Sequence, residues 1–230
     1  MKRHLTPELM DDPALDPVEH RLALGGLARL NCLSAAGRSP WRGMVDLART
    51  LDRPLTVLDV ATGSGDVPID CARRARRAGL ELELHGCDLS AFALSQASQR
   101  ARKVGVAMTC FKHDILASPP SEKYDVVTCN LFAHHLDEEG VCTLLRHMAH
   151  AARSRVLLCD LRRDRIGLGL AWVFSRMLTR SKVVHVDALK SVQAAWNPEE
   201  MSALAARAEL DGASLKRCFP RRMQLSWEPS

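Results

Sequence analysis

The sequence predicts an α/β fold: a seven-stranded, mostly parallel sheet with helices on both faces. Three observations predict it. From Leu55 onward, short apolar runs alternate with amphipathic stretches of helical period, a pattern that requires right-handed crossovers and a parallel sheet. The runs are strand-sized rather than helix-sized. The last two, Ala213–Phe219 and Arg222–Trp227, have only Pro220-Arg221 between them, which suits an antiparallel hairpin at the sheet edge.

Residues 1–54 read as a helical lid ahead of the sheet. Pro17 can open a helix whose Leu22, Leu27, Leu30 and Leu33 keep roughly one face, and Gly25-Gly26 weakens it by about 1 kcal/mol per glycine. Pro40-Trp41 restarts a second helix, with Met44, Leu47, Ala48 and Leu51 at i, i+3, i+4 and i+7. Residues 55–230 form the sheet domain. Its expected parallel strands are Thr56–Val60, Leu80–Cys87, Val106–Phe111, Tyr124–Cys129 and Arg155–Cys159. Helices fall between them at Val67–Ala78, Ala91–Lys103 and Glu138–Ala151, and a last helix at Pro198–Ala208 precedes the hairpin. An insert at about 161–197 holds an apolar helix, Asp164–Leu178, followed by a polar loop, Arg180–Asp187.

At 230 residues, 47% hydrophobic and 26% charged, the chain is an ordinary globular domain with a short appendage. Aromatics are 4%, so the core must be aliphatic and stacking platforms for single-stranded nucleic acid are not expected. The net charge of +5, from 25 Arg and 7 Lys against 27 acids, is too mild and dispersed for a dedicated nucleic-acid binder. Arg73-Arg74-Ala75-Arg76-Arg77 reads as a solvated helix face. The eight cysteines contain no CxxC pair and four of them end or interrupt strands, so they read as reduced core residues of a cytoplasmic protein. The opening MKRHLTPELMDDP lacks the apolar stretch of a signal peptide.

The most informative stretch runs from Thr56 to Asp66. A buried strand ends in Asp59, turns through Ala61, Thr62, Gly63, Ser64 and Gly65, and opens a helix, so backbone N–H groups face whatever sits above the sheet. A dinucleotide site would want a third glycine where Pro68 stands, and Asp59 would sit poorly beside a pyrophosphate. A ligand carrying a cation there would suit it.

Val57-Leu58-Asp59-Val60-Ala61-Thr62-Gly63-Ser64-Gly65-Asp66 resembles the first motif of class I S-adenosylmethionine-dependent methyltransferases. The resemblance implies a Rossmann-like fold and S-adenosyl-L-methionine as cofactor, with Asp59 serving the methionine ammonium and the glycine turn admitting the cofactor to the backbone. Ala61 departs from the glycine of many members and matches the ubiquinone/menaquinone-biosynthesis-like branch. Further landmarks follow in order. Asp88, 23 residues past Gly65, matches the ribose-binding acid, with Leu89 against the adenine. His113, Asp114 and Ile115 match the adenine-flanking end of the third strand. Asn130-Leu131-Phe132-Ala133-His134-His135-Leu136 is similar to the fourth-strand motif of the quinone-type branch, and lacks the Asn-Pro-Pro-aromatic of base-modifying relatives.

Together these features imply an enzyme that methylates a small phenolic or quinol-type acceptor, with oxygen the favoured target and ring carbon the alternative. A non-catalytic cofactor-binding partner protein is the second class, and a nucleotide-dependent oxidoreductase is disfavoured by Pro68 and Asp59. A phenol near pKa 10 needs its proton removed, and His134 or His135, just past the fourth strand, are the candidate bases. His185 with Asp187 is either a catalytic pair beside the acceptor, where His185 would touch it, or a plain polar loop. Trp172 and Phe174 are the expected acceptor-pocket walls. The apolar helix is too short to span a bilayer, and its flanking arginines leave a membrane-surface contact open. No metal is expected, because Asp160 and Asp164 are too few for a carboxylate cluster. A monomer or homodimer is anticipated.

Overall fold

The computed structural model describes residues 1–12 and 14–229. Among them, seven strands form one sheet in the order β3-β2-β1-β4-β5-β7-β6. The strands are β1 Leu55–Val60, β2 Leu82–Asp88, β3 Met108–Lys112, β4 Tyr124–Asn130, β5 Ala152–Leu161, β6 Ser214–Cys218 and β7 Arg222–Trp227. Neighbours from β3 to β5 pair parallel, and β7 runs antiparallel between β5 and β6. The sheet is therefore the Rossmann-like arrangement expected, with the hairpin at its edge.

Helices α1 Pro17–Leu33 and α2 Arg38–Thr50 precede the sheet. Helices α3 Asp66–Arg77, α4 Ala91–Lys103 and α5 Glu138–Ala151 make the crossovers, and α6 Arg165–Leu178, α7 Lys182–Ala194 and α8 Pro198–Arg207 lie between β5 and β6. Consecutive strand residues serve opposite cores, as a sheet covered on both faces requires. Leu58, Val127 and Leu158 join α5 and α8 through Leu144, Leu145 and Met201. Val57, Val126 and Leu157 join α2 through Met44 and Ala48.

That second core separates the two N-terminal helices. α2 is packed on the sheet, so closely that a Cβ on Gly43 would lie 2.9 Å from both Leu157 methyls. α1 instead stands over the C-terminal edge of the strands. It closes on α7 at Ala23, against Val183 and Val184, and at the buried Gly26, where a Cβ would come within 2.7 Å of Thr179 Oγ1. Leu22 and Leu33 of the expected apolar stripe remain exposed. All eight cysteines are free, five of them buried.

The polar loop expected at Arg180–Asp187 is a correction: Lys182–Ala194 is helical, opened by Ser181, whose side chain accepts from Val184 N. Its Val183 and Val184 are buried beneath α1, and that packing outweighs the modest helix propensity of valine.

Candidate active site

The C-terminal ends of β1 and β4, where strand order reverses, open into a cavity of about 730 Å³. Open α/β sheets bind ligands at this point.

One half of the cavity is polar. Asp59 is 1% exposed and accepts from Thr128 Oγ1 at 2.6 Å and Asn130 Nδ2 at 2.7 Å. Burial pushes its carboxyl up to about 6 in spite of these bonds. The turn that follows reverses the chain through left-handed conformations at Ala61, Gly63 and Gly65 (φ 51°, 55° and 74°). Ala61, Thr62, Gly63 and Ser64 line the cavity. Gly65 does not: it caps α3, where a Cβ would press 3.1 Å from Ala97 Cβ, so its place is in the turn rather than against a ligand.

Asp88 at the end of β2 is fixed by Gly63 N at 2.8 Å and Ser90 N at 2.9 Å, one on each carboxylate oxygen. Leu89, His113, Asp114, Ile115, Asn130 and Leu131 complete this half. Asp114 Oδ1 accepts from Leu116 N at 2.9 Å, and His113 Nε2 lies 2.9 Å from Ser118 O. Two polar atoms on this wall are buried without a protein partner, Thr62 Oγ1 and Asn130 Oδ1. Such orphans are costly unless a ligand or water meets them.

The other half holds a charged group surrounded by aliphatic side chains. His134 is 3% exposed. Its Nδ1 lies 2.7 Å from Asp160 Oδ1, and its backbone N–H donates to Asp160 Oδ2 at 2.9 Å. On the far side Glu8 Oε1 is 3.7 Å from His134 Nε2, and Glu8 Oε2 is 4.0 Å from His135 Nε2. Burial disfavours the imidazolium, but Asp160 and Glu8 outweigh it and push His134 up to about 10. Burial likewise opposes the charge on Glu8 and Asp160, and the histidines hold both below the usual carboxylate range. His134 is thus a fixed cation at neutral pH.

Glu8, His134 and His135 offer ligand atoms within 4.8 Å of one another, the grouping among the described residues that could hold a metal ion. A tetrahedral ion with bonds near 2.0–2.1 Å wants its ligand atoms about 3.3 Å apart. The Glu8 oxygens lie 3.7 Å from His134 Nε2 and 4.0 Å from His135 Nε2, wider than that.

α6 faces the cavity with Gly167, Leu170, Ala171, Phe174, Met177 and Leu178, a regular helical stripe. Phe174 lies on that stripe and is 45% exposed. Trp172 is a correction: it falls off the stripe, is 52% exposed, and lies under the Arg176 guanidinium, 4.6 Å from the ring centroid. His185 is another, sitting on α7 with Nε2 2.8 Å from Thr179 O, outside the cavity. Nor is Asp187 its partner, since the Asp187 carboxylate accepts from Leu9 N at 2.8 Å and Met10 N at 3.0 Å.

Sequence reasoning missed Glu8, because a lone acid in an aperiodic segment carries no signal. Asp160 was visible as an acid ending a central strand, but its bond to His134 depends on the pairing of β4 with β5. Arg222, also on the cavity wall, carries in the sequence only the signal of a hairpin strand.

Residues 57–164 match the family described as Methyltransferase domain. Among solved structures, magnesium protoporphyrin IX methyltransferase from Synechocystis with bound SAH is 19% identical, with TM-score 0.60, over 95% of this chain and 90% of that one. A plantazolicin methyltransferase in complex with a triazolic desmethyl analogue and SAH is 18% identical, with TM-score 0.67, over 92% and 90%. At such identities the likeness is one of fold.

Proposed function

The chain carries a methyltransferase domain over residues 57–164, and from that premise we propose an S-adenosylmethionine-dependent enzyme that methylates a small phenolic or quinol-type acceptor, at oxygen in preference to carbon. The observation that carries this reading is a single cavity with two unlike halves. Asp59, the glycine turn and Asp88 make one of them, and the Glu8–His134–His135–Asp160 set makes the other.

The fit of the cofactor rests on chemistry. Asp88, pinned by two N–H groups, keeps lone pairs for a ribose diol; Asn130 Oδ1 and Asp59 are buried acceptors suited to an ammonium; Leu89 and Ile115 offer apolar faces to a purine. When bound, S-adenosylmethionine supplies a methyl group on a sulfonium, an excellent leaving group. The protein's part is to align the acceptor and hold its proton. His135 takes the phenolic proton, and Glu8, 4.0 Å from its Nε2, steadies the imidazolium that forms. Asp160 holds the His134 ring in place, and the His134 cation in turn holds Glu8 ionised.

The apolar walls from α1 and α6 favour a lipophilic ring, and the mouth is edged by the exposed Leu33, Met177 and Phe219. With the arginines beside α6, that rim suits passing contact with an anionic lipid surface. Among the described residues no helix is long and apolar enough to cross a membrane. We place the enzyme in the cytoplasm on its free thiols. The test is methyl transfer from labelled S-adenosylmethionine to a panel of phenols and hydroquinones, with NMR of the product to locate the new methyl. Cofactor binding without turnover on any panel member would overturn the catalytic reading.

A further inference from the structure

Arg222 is a buried charge whose protein partners do not neutralise it. It stands on β7, 8% exposed, on the cavity wall. Its Nη2 donates to Ser34 Oγ at 2.9 Å and Asn31 Oδ1 at 3.4 Å, both neutral oxygens of the α1 C-terminal turn. Its Nε is buried with no partner at all. The equally buried Arg163 shows the usual solution, reaching the Glu200 carboxylate at 2.5 Å. Burying a guanidinium without an anion is unfavourable, and here it lowers the pKa of the group to about 10. A cavity-lining cation of this kind is completed by an anionic ligand.

The same cavity contains its complement. Asp59 is buried, and the two hydrogen bonds it receives come from neutral donors; beside it Asn130 Oδ1 lacks a partner. One wall thus offers an anion and an orphan acceptor, the other a cation and an orphan donor. A zwitterion answers both.

The position of Arg222 indicates which end of the ligand it meets. Asn31, which cradles it, donates through Nδ2 to Asp66 Oδ2 at 2.7 Å, tying the group to the glycine turn rather than to the ends of β2 and β3 where Asp88 and Asp114 stand. The N-terminus of α3 is not a rival site for the anion. It already carries the Asp66 carboxylate, which accepts from Ser64 Oγ and pairs with Arg100 at 2.6 Å.

Resting on the cofactor reading above, we propose that Arg222, seated on Asn31 and Ser34, binds the α-carboxylate of the methionine end of S-adenosylmethionine. The guanidinium fork matches a carboxylate, and Nε still lacks a partner. A carboxylate on the acceptor is the other source of the same chemistry.

The test is calorimetry on the full chain without acceptor, comparing S-adenosylmethionine with its decarboxylated analogue. The wild-type protein should bind the carboxylated ligand at least tenfold more tightly. Arg222→Met should erase that preference by weakening S-adenosylmethionine alone, and Arg222→Lys should keep part of it. Equal wild-type affinities overturn the proposal without recourse to any variant, so a poorly folded Arg222→Met protein does not shelter it. An equal loss for both ligands in a variant that melts like wild type overturns it too. So does unchanged cofactor affinity with a raised KM for a carboxylated acceptor, which would move Arg222 to the acceptor. Failure of the wild-type protein to bind either adenosyl ligand would instead sink the cofactor reading, and this proposal with it.

Discussion

At the scale of single residues, the site is governed by charges that burial has made expensive. Asp59 titrates near 6, raised by burial and by Asp66, and held down by Thr128 and Asn130. A cationic ligand needs the ionised form. Cofactor affinity should therefore climb as pH rises through about 6 and level off above it. Asp59→Asn should weaken binding about tenfold or more and flatten that slope; titrations from pH 5 to 8 measure both, and a slope that survives the substitution would remove Asp59 from the account. His134 makes a different demand. If it holds Glu8 ionised beside His135, His134→Gln should lower single-turnover rates by roughly 10²–10⁴-fold. Cofactor affinity should stay within a factor of about two, and an equal loss in both quantities would point to collapse of the cavity instead.

At the scale of elements, α6 separates two aromatics that the sequence places side by side. Phe174 belongs to the stripe that faces the cavity, and Trp172 points outward beneath Arg176. Phe174 is 45% exposed in the open cavity, so an acceptor would cover it; Phe174→Ala should raise the acceptor KM by about tenfold, given roughly 1.5–3 kcal/mol for taking a large apolar side chain from exposed to buried. Trp172→Ala should leave it within about twofold, and the reverse order would show that α6 turns when acceptor binds. The contrast also marks what could be read from sequence. β1, its glycine turn and Asp88 were legible because strand, turn and helix there follow local rules in a short span. The apolar run of α6 was legible as a helix, but scarce aromatics say nothing about which face they occupy. α7 was illegible because Val183, Val184 and Val186 argue against a helix locally, and burial against Ala23 of α1 decides the matter. Asp160 and Arg222 meet their partners only after strands distant in sequence are paired.

At the scale of the whole molecule, the N-terminal segment ties α7 to the end of β4. Arg3 donates to Ala194 O and Leu136 O, each at 2.6 Å, and its guanidinium lies 3.6 Å from the Trp196 ring centroid. Asp187 holds Leu9 and Met10 by their N–H groups. Between these anchors Glu8 reaches His134. Removing residues 1–12 should leave both sheet cores folded, because neither contains any of those residues. It should abolish turnover while keeping cofactor binding. The pH dependence of stability gives a sharper test. Asp160 and Glu8 are depressed in the folded state, so their contribution is present above the unfolded carboxylate range and lost as pH falls through the lower folded values. His134 is raised to about 10, so its contribution is complete below about 6.5 and lost as pH rises toward 10. Stability from the cluster should peak between about pH 5 and 6.5 and decline slowly on the alkaline side. In Glu8→Gln the His134–Asp160 pair remains but one of its two anions is gone. The alkaline decline should then start from the same pH, about 6.5, but end at lower pH and be smaller in total, while the acid limb, still set by Asp160, changes less. Melting temperatures of the two proteins from pH 4 to 10 should differ most near pH 6 and converge toward pH 10, and parallel curves would mean that Glu8 does not feel the charge on His134.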